Sequence, residues 1–308
     1  MTTANPSAPP RKRAVLAFLA FLILTLVGVG VATAALYERR VLTRGWSDPA
    51  TDAALPFRGA LPGVNVDLTQ YAPEALPAEL ARIAQAGFVW VRQTFDWALI
   101  EPSEGVFDFS AYAPIMDALR EIPTLRLVAV LDSTPAWARR PEASDRLYAP
   151  PASMAAFATF AAELARRYGD QIDHYQVWDE PNLNTHWGGL DPRPADYAAM
   201  LKAVYAAIHA ADGTATVIAA GLAPTMETGP RNLSDVVYLE ALYAAGAADA
   251  FDAAAGKPYG FDHSPDDRTV DANRLNFSRL ILLREVMVKH GDGRKPLWGS
   301  HFGWNSLP

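Results

Sequence analysis

From Gly63 onward the chain alternates short apolar runs with longer amphipathic ones, and this rhythm limits its possible folds more than any other feature. Residues 64–66, 88–92, 125–131, 174–178, 216–220, 251–254 and 296–300 read as seven strands. Between them, residues 76–86, 110–122, 152–168, 194–211, 233–245 and 269–290 carry helical spacing. Gly87, Pro123, Gly169 and Asp212-Gly213 mark the ends of the first four. The alternation predicts a parallel sheet with helices outside it. The run 125–131 is almost entirely apolar, as a strand covered on both faces should be. A doubly wound sheet and a closed barrel share this pattern. No Gly-x-Gly-x-x-Gly follows the first strand and no Gly-x-x-x-x-Gly-Lys-Ser/Thr occurs, so nucleotide-binding sheets lose support. Polar and aromatic residues gather just after the strands, where barrels carry their chemistry. The expected fold is α/β, a (β/α)8 TIM barrel over 63–308 lacking its eighth strand–helix unit.

The segment before Gly63 is different in kind. Residues 1–13 are polar and proline-rich and end in Arg11-Lys12-Arg13. Residues 14–37 carry no charge, and at about 1.5 Å per residue they cover the roughly 30 Å hydrocarbon core of a bilayer. They read as a transmembrane signal-anchor helix behind a cytoplasmic tail, with the barrel extracytoplasmic. A cleaved leader and a secreted protein are the alternative, since Ala32-Thr33-Ala34 resembles a cleavage site. Arg39, Arg40 and Arg44 weaken the charge asymmetry that would orient the span. Residues 38–62, broken by Pro49, Pro56 and Pro62, read as a linker.

Composition removes several chemistries. The 308 residues carry a net charge of −7, which argues against a nucleic-acid partner. Without cysteine there are no disulfides, thiolate metal sites or cysteine nucleophiles. None of the six histidines stands at a recognisable ligand spacing, so neither a metal nor a cofactor is expected.

The most specific segment is Tyr175-Gln176-Val177-Trp178-Asp179-Glu180-Pro181-Asn182. It puts two adjacent carboxylates at the end of a buried strand. Strand alternation predicts that only one of them points at a given centre. The segment resembles the Trp-Asn-Glu-Pro signature at the fourth strand of clan A glycoside hydrolases, the large retaining (β/α)8 superfamily. Other pieces agree in order. Val91-Arg92-Gln93 with Phe95, Trp97 and Ile100-Glu101-Pro102 is similar to the second-strand region, especially of the β-xylosidase and α-L-iduronidase families. Thr134-Pro135-Ala136-Trp137-Ala138 resembles the loop after the third strand, and Phe302-Gly303-Trp304-Asn305 the stretch after the seventh.

The resemblance implies a two-carboxylate mechanism on a carbohydrate: one acid protonates the leaving oxygen and a second carboxylate meets the oxocarbenium-like centre. Glu180 matches the acid/base, a role best served by a raised pKa. Arg92 matches the arginine that relatives place beneath the nucleophile. Trp137, Trp178, Tyr259, Trp298 and Trp304, with Trp97 and Trp187, become candidates for stacking on sugar rings.

Three positions depart from the pattern. His301 stands where relatives carry the nucleophilic Glu, Asp179 replaces an asparagine that binds the sugar, and Lys257 replaces a histidine before Pro258-Tyr259. An imidazole brings no negative charge to an oxocarbenium. Asp179, Asp96, Asp132 and Glu227 are the remaining carboxylates near strand ends that could assist. Lys257 is expected to ion-pair with Asp179 or Glu180, which would lower the value of Glu180 as an acid. Two readings stay open, a membrane-tethered glycosidase using Glu180 and a catalytically weak or inactive relative that binds a glycan, with a structural membrane protein carrying a bystander barrel as a weaker third.

Overall fold

The computed structural model describes residues 11–44, 61–143 and 145–304. The tail before residue 11, most of the 38–62 linker and Asn305 lie outside the described residues.

Helix α1 (Arg11–Thr43) forms a unit of its own with the residues around it. Its stretch Ala14–Thr43 is long and apolar enough to cross a membrane, a property that anchors and signal sequences share. It runs six residues beyond the expected 14–37 span. The hydroxyls of Thr25 and Thr33 bond back to the carbonyls of Phe21 and Val29, each at 2.9 Å. Neither threonine would therefore bring an unsatisfied hydroxyl into hydrocarbon.

The second unit holds seven strands: β1 (Gly63–Asn65), β2 (Trp90–Asp96), β3 (Arg126–Asp132), β4 (His174–Asp179), β5 (Thr216–Leu222), β6 (Ala253–Gly256) and β7 (Leu297–Gly299). Every neighbouring pair is parallel and the spatial order is the chain order. A doubly wound sheet reverses its order at a switch point, so this sheet is of the barrel type. No eighth strand occurs among the described residues.

The sheet has two distinct cores. Outward-facing Val91, Phe95, Leu127, Leu131, Tyr175, Val177 and Val217 join the large cluster beneath the helices. Inward-facing Trp90, Val128, Ile218, Ala253 and Ala255 form a small interior cluster that Trp298 packs against. The Trp90 ring lies 4.9 Å from Trp298 and 4.8 Å from His174, both edge-on. These residues come from β2, β7 and β4, which are not neighbours, so the sheet is curled around its interior. At the upper rim Asn65 Nδ2 donates to Ser300 O at 3.0 Å, joining the end of β1 to the residue after β7.

The outer helices are α2 (Leu76–Gln85), the single turn α3 (Trp97–Ile100), α4 (Ala113–Arg120), α5 (Met154–Tyr168), α6 (Pro194–Ala211), α7 (Asp235–Ala244) and α8 (Leu280–Lys289). Ser153 caps α5 by accepting from Ala156 N, and Pro194 opens α6 with its φ preset. The expected helix 269–290 is shortened to α8. Asp267 accepts from Thr269 N, Arg274 Nε and Asn276 Nδ2, while Arg279 Nη1 bonds the carbonyls of Ala272 and Arg274. These side chains satisfy the backbone in an irregular loop, which competes with helix. Tyr197 of α6 inserts its hydroxyl between β4 and β5, donating to Val177 O at 2.8 Å and accepting from Ala220 N at 2.7 Å. This contact sits just below the strand ends that carry the site.

Candidate active site

The centre of the site is the end of β4, where strand alternation breaks. His174 and Gln176 face the barrel interior, so Trp178 should follow them inward. It does not. Trp178 adopts φ +67° and Glu180 φ +48°, both left-handed. Trp178 turns outward into the main core, fully buried, 5.7 Å from Phe157 and 5.9 Å from Trp187, with Nε1 donating to His186 O. Asp179 and Glu180 are both left facing the mouth. A left-handed non-glycine residue costs on the order of 1–3 kcal/mol, and burying a Trp side chain offsets about that much or more.

Both carboxylates converge on Lys257, which follows β6. Its Nζ donates to Asp179 Oδ2 and to Glu180 Oε1, each at 2.7 Å, and its side chain is 4% exposed. The expectation that only one carboxylate reaches the centre is therefore corrected. Arg92 of β2 pairs with Asp179 Oδ1 at 3.1 Å and donates to Gln176 Oε1 and Asn65 Oδ1 at the same distance. Gln176 Nε2 returns a bond to Asp179 Oδ1 at 3.0 Å. Burial alone would raise the Asp179 carboxyl. Arg92 and Lys257 outweigh it and hold Asp179 below the ordinary carboxylate value. The second oxygen of Glu180 lies 3.3 Å from His186 Nε2.

The rest of the signature is structural. Glu180 N donates to Gly221 O at 3.1 Å. Asn182 ties the loop after β4 to that after β5, donating to the carbonyls of Ala223 and Leu233 and accepting from Ala223 N. Gly221 supplies clearance, since a Cβ there would lie 2.5 Å from Ser300 Oγ and 3.0 Å from Asp179 Oδ1.

His301 follows β7 beside this cluster. Burial, reinforced by Lys257 and Arg92, pushes its imidazole down to about 4. It is neutral near pH 7, and its buried Nδ1 has no hydrogen-bond partner. Tyr259 lies 6.5 Å from it, ring to ring, and burial keeps the phenol protonated. Of the other carboxylates, Asp132 is buried and pushed well above the carboxylate range by that burial. Asp96 caps Leu99 N and accepts from the Ser133 hydroxyl. Glu227 is bonded by Asn232 Nδ2 at 2.8 Å. Among the described residues, Asp179 is the carboxylate that shares a partner with Glu180.

The tryptophans divide differently from the expectation. Trp97, Trp178 and Trp187 are wholly buried in the outer core and present no face to a ligand. Trp137 is half-buried, donates to Glu101 O and packs edge-on against Trp97. Trp298 points into the barrel interior against Trp90 and His174. Trp304 is exposed, lies over Gly260 and stacks on Phe277 at 5.5 Å. Sequence reasoning missed Asn65, Gln176 and His186. Gln176 had a signal, a lone amide inside an apolar strand, whereas the other two lie in segments without any.

A family model for glycoside hydrolase family 42, described as beta-galactosidase, matches residues 68–145, about a quarter of the chain. No curated protein matches the sequence. A family 39 glycoside hydrolase from the gut symbiont Bacteroides cellulosilyticus WH2 is similar in structure, with 21% identity and a TM-score of 0.57 over 79% of this chain and 49% of that one. A monomeric beta-xylosidase from Caulobacter crescentus CB15 has 18% identity and a TM-score of 0.56 over 80% of this chain and 52% of that one. A glucosidase from Croceicoccus marinus has 17% identity and a TM-score of 0.53 over 74% and 48%. The chain thus spans about half the length of these structures. Over residues 68–145 the chain is thus similar to a glycoside hydrolase family model, and over 74–80% of its length it shares the barrel fold of these enzymes. At these identities the structures establish the fold and say nothing of its substrate.

Proposed function

We propose that this chain is a membrane-tethered glycosidase-like protein that binds an extracytoplasmic oligo- or polysaccharide across its strand ends and cleaves an O-glycosidic bond with Glu180 as acid/base. The observation that carries this reading is the turn at Trp178, which commits the end of β4 to presenting Glu180 and Asp179 together at the mouth. Glu180 would give a proton to the leaving oxygen and take one from the incoming water. Asp179, held ionised by Arg92 and Lys257, supplies the negative charge that an oxocarbenium-like centre needs. Arg92 pairs with Asp179 at 3.1 Å, and Tyr259 lies 6.5 Å, ring to ring, from His301.

A second reading, glycan binding without turnover, draws support from His301 and Lys257. A neutral imidazole occupies the place of the second carboxylate, and the ammonium donates to one oxygen of the acid, which favours its ionised form. The readings separate in one assay of the full-length chain in detergent, measuring reducing ends released from β-linked oligosaccharides by wild type and by Glu180→Gln. Hydrolysis that disappears in the variant supports the first reading. Binding with no hydrolysis in either supports the second, and equal hydrolysis in both rules out the role of Glu180.

A further inference from the structure

Arg92 borders more than the carboxylate cluster. A cavity of about 480 Å³ opens beside β1 and β2, with Asp67, Arg92, Thr94, Asp96 and Tyr148 in its wall. Its size falls within the range of small-molecule sites.

Its charges are arranged for donors. Asp67 Oδ1 accepts from Thr69 N at 3.0 Å and from the Thr69 hydroxyl at 2.6 Å. Asp96 Oδ1 accepts from Leu99 N at 3.1 Å and from the Ser133 hydroxyl. Each carboxylate is thus fixed in orientation through one oxygen, and the second oxygen has no hydrogen bond among the described residues. Arg92 contributes little free charge because Asp179 faces it at 3.1 Å. The uncompensated charges in the wall are two carboxylates, which only accept. A ligand there must bring hydrogen-bond donors and gains nothing from an acid group of its own.

Tyr148 adds a surface. One face of its ring is stacked on His186 at 5.2 Å and 17°, and Tyr148, 37% exposed, lines the cavity. An aromatic face held from behind suits the C–H face of a sugar ring. His186 in turn reaches Glu180 Oε2 at 3.3 Å, so the cavity wall and Glu180 are two contacts apart.

We propose that this cavity is a second saccharide subsite, taking a non-acidic sugar ring next to Glu180, with Tyr148 as platform and Asp67 and Asp96 as acceptors for its hydroxyls. The inference rests on the carbohydrate reading above. It further assigns Tyr148 and the two aspartates, rather than the buried tryptophans, as the residues that choose the sugar.

The test is calorimetric titration of the full-length chain in detergent with neutral hexasaccharides of xylose, glucose and mannose, and with hexagalacturonate. Asp67→Asn and Asp96→Asn keep the capping oxygen and so keep the local fold; Tyr148→Ala removes the platform, and melting curves verify that each variant is folded. At least one neutral hexasaccharide should bind, each Asn variant should weaken it about tenfold, and hexagalacturonate should bind at least as much more weakly. Affinity for the neutral sugar unchanged in all three variants would overturn the subsite while leaving the carbohydrate reading intact, as would tighter binding of hexagalacturonate. Binding of none of the four oligosaccharides would overturn both.

Discussion

Asp179 and Glu180, neighbours in sequence, accept hydrogen bonds of equal length from one ammonium, that of Lys257. Adjacent residues of a regular strand cannot do this, because their side chains leave opposite faces. The left-handed turn at Trp178 makes it possible by sending an indole into the outer core and reversing the faces that follow. The site therefore depends on a packing event outside the barrel as much as on the charged groups within it.

Removing the shared cation should cost more than a surface ion pair. Lys257→Met leaves Asp179 and Glu180 side by side without their donor, and losing one partner of a buried pair costs about 3–5 kcal/mol. Denaturant melts should show the loss. The pH dependence should move with it. Asp179 is held below the ordinary carboxylate value, so its contribution is complete above about pH 4 and fades as pH falls through its lower folded value. In Lys257→Met the folded value of Asp179 rises, so the fading should be smaller and should end at a higher pH.

Trp178→Ala should destabilise the fold by about 3–5 kcal/mol, as large-to-small changes in a closed core do. It should also disturb the site, since no indole remains to hold the turn. Loss of stability with ligand affinity fully retained would show that the turn at Trp178 is dictated by something else.

Gly221→Ala tests the clearance around Asp179. A methyl group there meets Ser300 Oγ at 2.5 Å and Asp179 Oδ1 at 3.0 Å. Oligosaccharide affinity should fall by at least about tenfold, roughly 1.4 kcal/mol, with a smaller change in melting temperature. An unchanged affinity would mean that Asp179 does not need its observed position.

Two histidines should set an acid limit on stability. His301 and His174 are both held down near 4, chiefly by burial. On acidification the unfolded chain binds these protons first, so stability is complete above about pH 6.5 and declines from there toward about 4. His301→Gln should flatten part of that slope, and NMR titration should place the His301 ring near 4. A ring that titrates near 6.5 would remove the description of His301 as neutral in the site.

The strands were legible because each is a short apolar run bounded by glycine, proline or a charged helix, and the residues that punctuate them are local. The Asp-Glu-Pro-Asn segment was legible as chemistry. Its geometry was not. Alternation places Trp178 inward and separates the two carboxylates, and only contact with Phe157 and Trp187, distant or offset in sequence, reverses that. Helix α8 was overdrawn for a related reason, because the Asp267 and Arg279 side chains take up backbone groups that a helix would otherwise satisfy. Trp298 reads from sequence as a mouth residue, and the curl of the sheet turns it into the interior cluster.

In the proposed function Glu180 handles the proton of a glycosidic bond in a site that binds sugar independently of that proton. The most direct measurement compares turnover and affinity for a single oligosaccharide in wild type and Glu180→Gln, both full-length in detergent. The variant should lose hydrolysis while its Kd stays within about twofold of wild type, as expected for a group used in the transition state only. Undiminished hydrolysis in the variant would contradict it.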